Sequence, residues 1–363
     1  MSYPHLIRLR GPWQYEVIET GAPVGLPLAG QMVLPADWGR QLGVSFRGRV
    51  RFTRNFGRPP GLEPHERVRL VCDGIDPHGA MLLGGQRLGN ATGYALPCRA
   101  DVTELLKPRN TVELNIDFPA GSSPPRPGRE QLPGGPVGEV RLEILSTNWL
   151  DDFWMEVRDD GRQAMLRGGG LVAGAVGDHP LELVIRTHAR ELYYTTVEPG
   201  RAMQFETPAD DLPHWAGDDA SPLETLTVKL IGGASAVWQR KFSVARRHVA
   251  WQADSQTLRM DGIAYDVQRG IESSLPRPPH ESSTGNALTF ATQVCPEDWY
   301  VQQDRAVRAV VQQVPSAWSP LVCRRLAHHP SIVAWATSPA DLKSLPTESV
   351  DSTYDRPWIT CGR

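Results

Sequence analysis

Two adjacent histidines, His328 and His329, are the residues of this sequence that most suggest a metal-binding pair. Neighbouring residues rarely direct both imidazoles at one ion, and no His-Glu-x-x-His motif or other spaced partner accompanies them. The pair is therefore predicted to cap a helix end and to pack against its neighbours, with no metal and no other cofactor. The cysteines also lack zinc-type spacing and are predicted to be reduced, mostly buried thiols: Cys72, Cys98, Cys295, Cys323 and Cys361.

Phosphate-binding and nucleophilic chemistry have little support in the sequence. The segment from Gly168-Gly169-Gly170 through Gly174 lacks the Lys-Ser/Thr of a P-loop and is predicted to form a β-turn. No Gly-x-Ser-x-Gly elbow is present. Asp151-Asp152 lies between Trp149 and Trp154. A turn beside two core tryptophans is favoured there over a polar aromatic cleft.

Composition limits the class of protein. The 363 residues are enough for two or three domains, and 34 Gly with 32 Pro indicates many turns and a β-rich fold. A formal net charge of −3 gives no basic field, so neither nucleic acid nor a membrane surface is an expected partner. The N-terminus has no signal-peptide pattern, and no run of 18 apolar residues occurs. A cytoplasmic location is expected.

Short alternating segments fill the first two thirds of the chain. Residues 66–72 and 111–118 alternate apolar and polar side chains, and Gly84-Gly85 is a tight-turn signal. This pattern predicts an antiparallel sandwich. Residues 121–138 are rich in Pro, Gly and Ser and are predicted to be a loop or linker. A second β-rich block follows, with strands predicted at 139–145, 154–158, 181–187 and 226–231.

Helix and strand patterns alternate after about residue 251. Pro296-Glu297-Asp298 opens a predicted helix with acidic residues in its first turn. Ser319-Pro320 is a suitable start for a second helix over 321–327. The apolar run 332–336 predicts a short buried strand, so this region is expected to be an α/β unit.

Motifs along most of the chain resemble those of glycoside hydrolase family 2, the β-galactosidase and β-glucuronidase group. The second block is similar to the family's immunoglobulin-like domain, and residues 258–262 and 267–271 resemble the entry to its catalytic barrel. The first block is similar to the family's sugar-binding jelly-roll domain, on Pro35-Ala36-Asp37-Trp38, Phe46-Arg47-Gly48-Arg49-Val50-Arg51-Phe52, Asp73-Gly74-Ile75-Asp76 and Asp101-Val102-Thr103-Glu104-Leu105-Leu106.

The resemblance implies a mainly β fold in four parts. These are a galactose-binding-like jelly-roll sandwich over 1–120, the loop or linker at 121–138, an immunoglobulin-like sandwich over 139–250, and a truncated α/β barrel-like segment over 251–363. A complete eight-unit barrel takes about 250 residues. The barrel is therefore expected to be a short remnant of that fold.

The run His329-Pro330-Ser331-Ile332-Val333-Ala334-Trp335 resembles the segment that leads into the family's fourth barrel strand. In the family this run continues to Asn-Glu, and the Glu is the acid/base. Here the two positions are Pro339 and Ala340. Asp341 is one residue further, where a strand would point it to the opposite face. Retaining hydrolysis needs two carboxylates about 5 Å apart, so no catalytic residue is assigned.

The expected function is that of a non-catalytic family 2-like protein, either a carbohydrate-binding or a protein-interaction module. A sugar site needs an aromatic platform and fixed polar groups. One alternative is a glycosidase that acts only with a partner chain or second copy, or through an unrecognised site. Another is a purely structural subunit. An oligomer that buries the shortened barrel segment is a further expectation. The candidate carbohydrate-binding residues are Trp38, Arg54, Asp73, Asn90 and Tyr94.

Overall fold

The computed structural model describes residues 3–20, 25, 27–119, 132–177, 179–215, 223–252, 255, 257–266, 271–273, 288–314, 319–337 and 356–360. The chain forms two compact units, one over Pro4–Thr147 and the other over Asn148–Arg363 together with Met1–Tyr3. Within the described residues, no helix has the length and apolar character needed to cross a membrane.

The first unit is a sandwich of two antiparallel sheets, with a one-turn helix α1 (Gly39–Leu42) and a 3-10 turn (Thr103–Leu105). The larger sheet has six strands in the spatial order β3 (Ala29–Met32), β2 (Trp13–Thr20), β4 (Gly48–Gly57), β9 (Arg109–Phe118), β6 (Ile75–Leu83) and β7 (Gln86–Gly93). The smaller sheet has four, in the order β1 (His5–Arg8), β10 (Val140–Leu145), β5 (Arg67–Cys72) and β8 (Cys98–Asp101).

Period-two alternation builds the core of this sandwich, as the sequence predicts. Phe52 and Leu114 are cross-strand partners on β4 and β9, and both are fully buried. Leu70 and Leu142 are partners on β5 and β10 and join the same apolar cluster. Gly84 and Gly85 have φ values of 57° and 82°, which is the backbone of a tight hairpin turn between β6 and β7.

The position of strand β10 differs from the domain boundary that the sequence predicts. Residues 139–145 form a strand as predicted, but the sequence predicts that this strand belongs to the second sandwich. The structure inserts β10 between β1 and β5 of the first unit, where it pairs with both neighbours. The local pattern of Val140, Leu142 and Leu145 specifies a strand with a buried face. It does not specify which sheet supplies the partners.

A second sandwich opens the second unit. One sheet has the order β11 (Asn148–Asp159), β12 (Ala164–Gly174) and β15 (Ala202–Pro208). The other has the order β14 (Glu191–Val197), β13 (Leu181–Arg186), β16 (Glu224–Gly232) and β17 (Ser235–Val244). Their inward side chains form one apolar cluster, which includes Met155, Leu166, Leu183 and Val228.

Two turn predictions in this sandwich are wrong. Gly168–Gly170 lies in the middle of β12, because the partner strand leaves no room there for a side chain. A Cβ on Gly168 would be 2.4 Å from the carbonyl oxygen of Trp154 and 2.6 Å from Phe205. Asp151 pairs with β12, and Asp152, at φ 47°, lies in the β-bulge that follows it within β11. Neither residue belongs to a chain reversal.

The last part of the chain contains two further sheets. A three-stranded antiparallel sheet consists of β18 (Val249–Gln252), β19 (Thr257–Met260) and β20 (Ile263–Asp266). A parallel sheet follows in chain order, with β21 (Ile271–Ser273), β22 (Thr289–Ala291), β23 (Val310–Gln313), β24 (Ile332–Thr337) and β25 (Trp358–Thr360). Helix α2 (Glu297–Arg305) connects β22 to β23, and α3 (Ser319–Leu326) connects β23 to β24.

These elements confirm the α/β prediction. The two predicted helices are α2 and α3, and the predicted apolar strand is β24, in which every residue is buried. Parallel strands joined in sequence by helices are the repeating unit of a βα-barrel. β24 is the fourth strand of this parallel sheet, which is the place that the family resemblance implies for it.

Candidate functional site

The carboxyl end of β24 is the place where the resemblance implies a catalytic acid. Pro339, Ala340 and Asp341 follow this strand but lie outside the described residues. Within the strand, Trp335 and Ala336 are fully buried. Trp335 is 6.5 Å from the ring of Trp358 on β25, and the Arg356 guanidinium lies 5.3 Å from its centroid. These contacts fix the end of β24, which directly precedes the segment with the acid/base position.

The polar side chains on β22, β23 and β24 are amides and hydroxyls, with no carboxylate among them. The Tyr300 hydroxyl donates a 2.6 Å hydrogen bond to Gln312 Oε1, and Gln312 Nε2 donates to the Ala291 carbonyl. Burial raises the pKa of Tyr300 well above its usual value, so the phenol stays protonated. These described strand residues carry no group that could act as a general acid or nucleophile near neutral pH.

The first sandwich does not assemble the five candidate sugar-binding residues into one site. Trp38 is fully buried, with Phe46 edge-on at 5.5 Å and the backbone of Gly134 close against its ring. Its ring faces therefore contact protein and not solvent. Trp38 is a core residue, because an aromatic side chain fits a sandwich interior as well as it fits a sugar.

Most of the other four candidates are engaged by the protein itself. Arg54 donates a 3.0 Å hydrogen bond to the Pro12 carbonyl, and Asp73 is ion-paired with Arg141. The half-buried Tyr94 donates its hydroxyl to the Val137 carbonyl at 2.6 Å. Asn90 is the exposed member, and its side-chain oxygen accepts a 2.6 Å hydrogen bond from Arg87. Asn90 therefore remains the best placed of the five to meet a ligand.

A polar groove of about 200 Å³ in the second unit was not anticipated from the sequence. His248 Nδ1 lies 3.1 Å from the Asp159 carbonyl, and His214 Nε2 is 3.3 Å from Asp261 Oδ1. The groove has no aromatic platform among its described residues. Three separate segments of the chain line it, so no single local motif marks it: Asp159, Gly161, Arg162, Gln163, Ala164, Asp210, His214, Arg246 and His248.

Glu297, His328 and His329 form the group of described residues that could hold a metal ion. Glu297 Oε1 is 3.1 Å from His328 Nε2 and 3.3 Å from His329 Nε2. The Nδ1 atom of His329 is 2.7 Å from Asp304 Oδ2, and both of those side chains are fully buried. The expectation that adjacent histidines diverge is wrong here, because His328 lies in a turn after α3 and not in a regular helix or strand.

The predicted helix-capping role of this pair is filled by another residue. Arg356 donates to the carbonyls of Ala327 and His329, at the end of α3 and just beyond it. The histidine rings pack instead, with centroids 4.0 Å apart, and His328 meets the ring of Phe242 edge-on at 5.2 Å. Packing of the pair is therefore as predicted, and capping is not.

The electrostatics of this cluster shift the pKa values of the two histidines in opposite directions. Burial would lower the pKa of His329, but the Glu297 and Asp304 carboxylates outweigh it and raise that pKa to about 9. Burial, together with the charge on His329, lowers the pKa of His328. Partial burial would raise the pKa of Glu297, whose side chain is still open to solvent, but the charge on His329 holds that pKa well below its usual value. At neutral pH, His329 is the charged imidazole and His328 is neutral.

Comparison with solved structures places this architecture among glycosidases. A β-glucuronidase of Bacteroides uniformis superposes with a TM-score of 0.72 at 17% identity, over 95% of this chain and 48% of that one. A β-D-mannosidase of Dictyoglomus thermophilum gives 0.75 at 15%, over 98% and 57%. A β-glucuronidase of Bifidobacterium dentium, complexed with coumarin-3-O-glucuronide, gives 0.71 at 18%, over 100% and 75%.

The fold is that of glycoside hydrolase family 2. The resemblance predicted from motifs is thus confirmed as a shared fold, with two β-sandwiches followed by part of an α/β barrel. The chain spans about half the length of the first two of these enzymes. No protein-family model matches the sequence. No curated protein matches it either.

Proposed function

We propose that this chain is a non-catalytic protein on a family 2 glycosidase scaffold, which binds carbohydrate instead of cleaving it. One observation carries the proposal. β24 is the fourth strand of the parallel sheet and ends at Thr337. Three positions further, the residue that matches the family's acid/base is Ala340. A methyl group cannot donate a proton to a glycosidic oxygen. Gln312 on the neighbouring strand β23, and Tyr300, which bonds to it, are uncharged hydrogen-bonding groups.

Hydrolysis assays with two classes of leaving group test the missing acid. The dinitrophenolate group leaves a glycoside without being protonated, whereas the sugar leaving group of a disaccharide must be protonated by a general acid. We expect no release of the leaving group from β-glucuronides, β-galactosides or β-mannosides of either class. Added azide is the decisive condition, because it attacks a glycosyl-enzyme intermediate in place of activated water. Azide-stimulated turnover of the dinitrophenyl glycosides would show that a nucleophile is present and would contradict the proposal.

Carbohydrate binding is tested separately on the first sandwich. Support for a sugar ligand comes from the glycosidase fold and from the exposed amide of Asn90 beside Arg87. We expect retention on a glycan array that Asn90→Ala reduces at least fivefold. Gln14→Ala is the matched control, because Gln14 is an exposed amide on β2 of the same sheet and should leave retention unchanged. An array without signal for the parent protein would contradict carbohydrate binding and would favour a protein-interaction or structural role.

The second candidate function is a glycosidase whose active site is completed by another chain or a second copy. The glycosidase identity of the solved structures with this fold favours it. Activity per milligram would then rise with protein concentration, in step with dimer formation measured by sedimentation. Under the first proposal, activity stays at background at every concentration, whether or not an oligomer forms.

A further inference from the structure

The Glu297–His328–His329 cluster has the donor set of a zinc site. Two imidazoles and one carboxylate, with a water in the fourth position, are a recurrent ligand set for Zn²⁺. Zinc–nitrogen and zinc–oxygen bonds of about 2.0–2.1 Å in a tetrahedron separate neighbouring ligand atoms by about 3.3 Å. The separations from Glu297 Oε1 to the two histidine Nε2 atoms are 3.1 and 3.3 Å.

A second observation also indicates an ion. His329 Nε2 is fully buried and has no hydrogen-bond partner among the described residues, although Glu297 Oε1 is 3.3 Å away. The two atoms approach each other but miss hydrogen-bond geometry. An unsatisfied buried nitrogen is costly, by about 1–3 kcal/mol in general. A cation between these two atoms would satisfy both of them.

The opposite edge of the His329 ring is held as metal-bound imidazoles commonly are. Asp304 Oδ2 contacts Nδ1 at 2.7 Å, and Asp304 Oδ1 accepts the Ser331 backbone N–H at 2.9 Å. A carboxylate on one ring nitrogen fixes the ring and makes the other nitrogen the better donor to a metal. Glu297, Tyr300 and Asp304 all belong to α2 at helical spacing, so one face of this helix organises the cluster.

The cluster also has access to solvent and a reason to hold a divalent charge. The Glu297 side chain is 45% exposed, whereas those of His328 and His329 are 8% and 1% exposed. An ion can therefore enter over the carboxylate and keep a water ligand on that side. Glu297 and Asp304 contribute two negative charges, which a divalent ion balances once it has displaced the proton of His329.

We propose that Glu297, His328 and His329 bind a zinc-type divalent cation, with Asp304 as a positioning residue that acts through His329. The ion would connect the start of α2 to the turn before β24. This inference does not depend on carbohydrate binding or on the absence of hydrolysis, because none of those assays involves the cluster.

Metal titration of the full chain tests the site. Protein treated with a chelator and dialysed is titrated with Zn²⁺ by calorimetry, and with Co²⁺ by visible absorption. We expect one tight Zn²⁺ per chain and the intense d–d bands of tetrahedral Co²⁺. Glu297→Gln and His328→Gln should each weaken Zn²⁺ binding by at least about tenfold and abolish those bands. His65→Gln, which changes an exposed histidine of the first unit, should alter neither.

The positioning role of Asp304 has its own signature. Asp304→Asn should weaken Zn²⁺ binding about 10- to 100-fold, the range found when such a carboxylate is lost, while the Co²⁺ bands stay tetrahedral. Circular dichroism of each variant identifies any that fails to fold, and the Co²⁺ spectrum of the parent protein stands without variants. Absence of tight Zn²⁺ binding by the stripped parent protein would overturn the proposal, and so would equal affinity in the Glu297 and His328 variants. The cluster would then be an ion-pair network only.

Discussion

At the scale of single residues, side-chain type alone does not separate a binding residue from a core residue. Trp38 has the chemistry of a sugar platform, yet it packs edge-on against Phe46 and beside Phe118 in the interior of the first sandwich. Its indole is fully buried, and the backbone around Gly134 lies close against the ring. Its surroundings therefore show that Trp38 is a core residue that stabilises the first sandwich.

Truncation of Trp38 should destabilise the first unit strongly. Trp38→Ala removes a fully buried indole and leaves a cavity, which costs about 3–5 kcal/mol in the free energy of unfolding. Urea unfolding followed by circular dichroism measures the change. Val176→Ala, at a side chain that is 84% exposed, is a control expected to change the free energy by less than about 0.5 kcal/mol. An unchanged midpoint for Trp38→Ala would contradict the core assignment.

A buried carboxylate should make the first unit sensitive to acid. Glu143 accepts hydrogen bonds from Arg69 at 2.9 Å and from Arg141 at 2.8 Å. Burial would raise the pKa of Glu143, but the two guanidinium groups outweigh burial and lower it. A folded-state pKa below the unfolded value of about 4.3 adds stability above that pH, which is lost as the pH falls through the folded-state pKa.

Glu143→Gln isolates this contribution. At pH 7 the variant should lose about 3 kcal/mol, because two half-buried guanidinium groups lose one charged partner. Between about pH 5 and pH 2 its stability should fall less steeply than that of the parent protein, since the titrating group is absent. Parallel pH profiles of unfolding free energy for the two proteins would refute the assignment.

At the scale of elements, strands with a buried face are predictable, while their neighbours are not. The apolar run of β24 and the start signals of α2 and α3 are local, so the sequence predicts all three. Gly168 looks like a turn residue for an equally local reason. Its place within β12 is determined by Trp154 and Phe205 on the adjacent strands, which only the folded chain brings close.

Glycine at position 168 should therefore be required by close packing. Gly168→Ala places a Cβ at 2.4 Å from the Trp154 carbonyl oxygen, within a rigid backbone, and we expect a loss of about 1–3 kcal/mol. Gly177→Ala is the matched control, because nothing lies within 4 Å of its Cβ position. Thermal unfolding should show a lower Tm for the first variant alone. Equal Tm values for the two variants would mean that β12 and its neighbours can move apart to accommodate the Cβ without loss of stability.

At the scale of the whole molecule, the first boundary expected from the sequence falls in the wrong place. Residues 121–138 resemble a linker in composition, but the chain returns after them to supply β10 to the first sandwich. The candidate metal cluster was missed for a related reason. Glu297 and His328 are far apart in sequence, and their proximity depends on how α2 packs beside the turn after α3.

Two fragments test the boundary directly. A fragment of residues 4–147 contains both sheets of the first unit and should unfold cooperatively in urea. A fragment of residues 1–120 lacks β10, so β1 and β5 lose the strand between them, and we expect it to be disordered or aggregated. Dispersed amide proton shifts would identify the folded fragment. A folded 1–120 fragment would show that β10 is dispensable.

The position of β10 also affects how this protein emerges from the ribosome. In the part of the chain that the structure describes, β1 pairs with β10 alone, and β10 is translated about 130 residues later. At a synthesis rate of about 5–20 residues per second, the nascent chain exposes that unpaired segment for on the order of 10 s. During this interval its free backbone edge is open to chaperones or to neighbouring nascent chains. Translation speed between the two strands therefore sets how long the N-terminal sandwich remains vulnerable to misassembly.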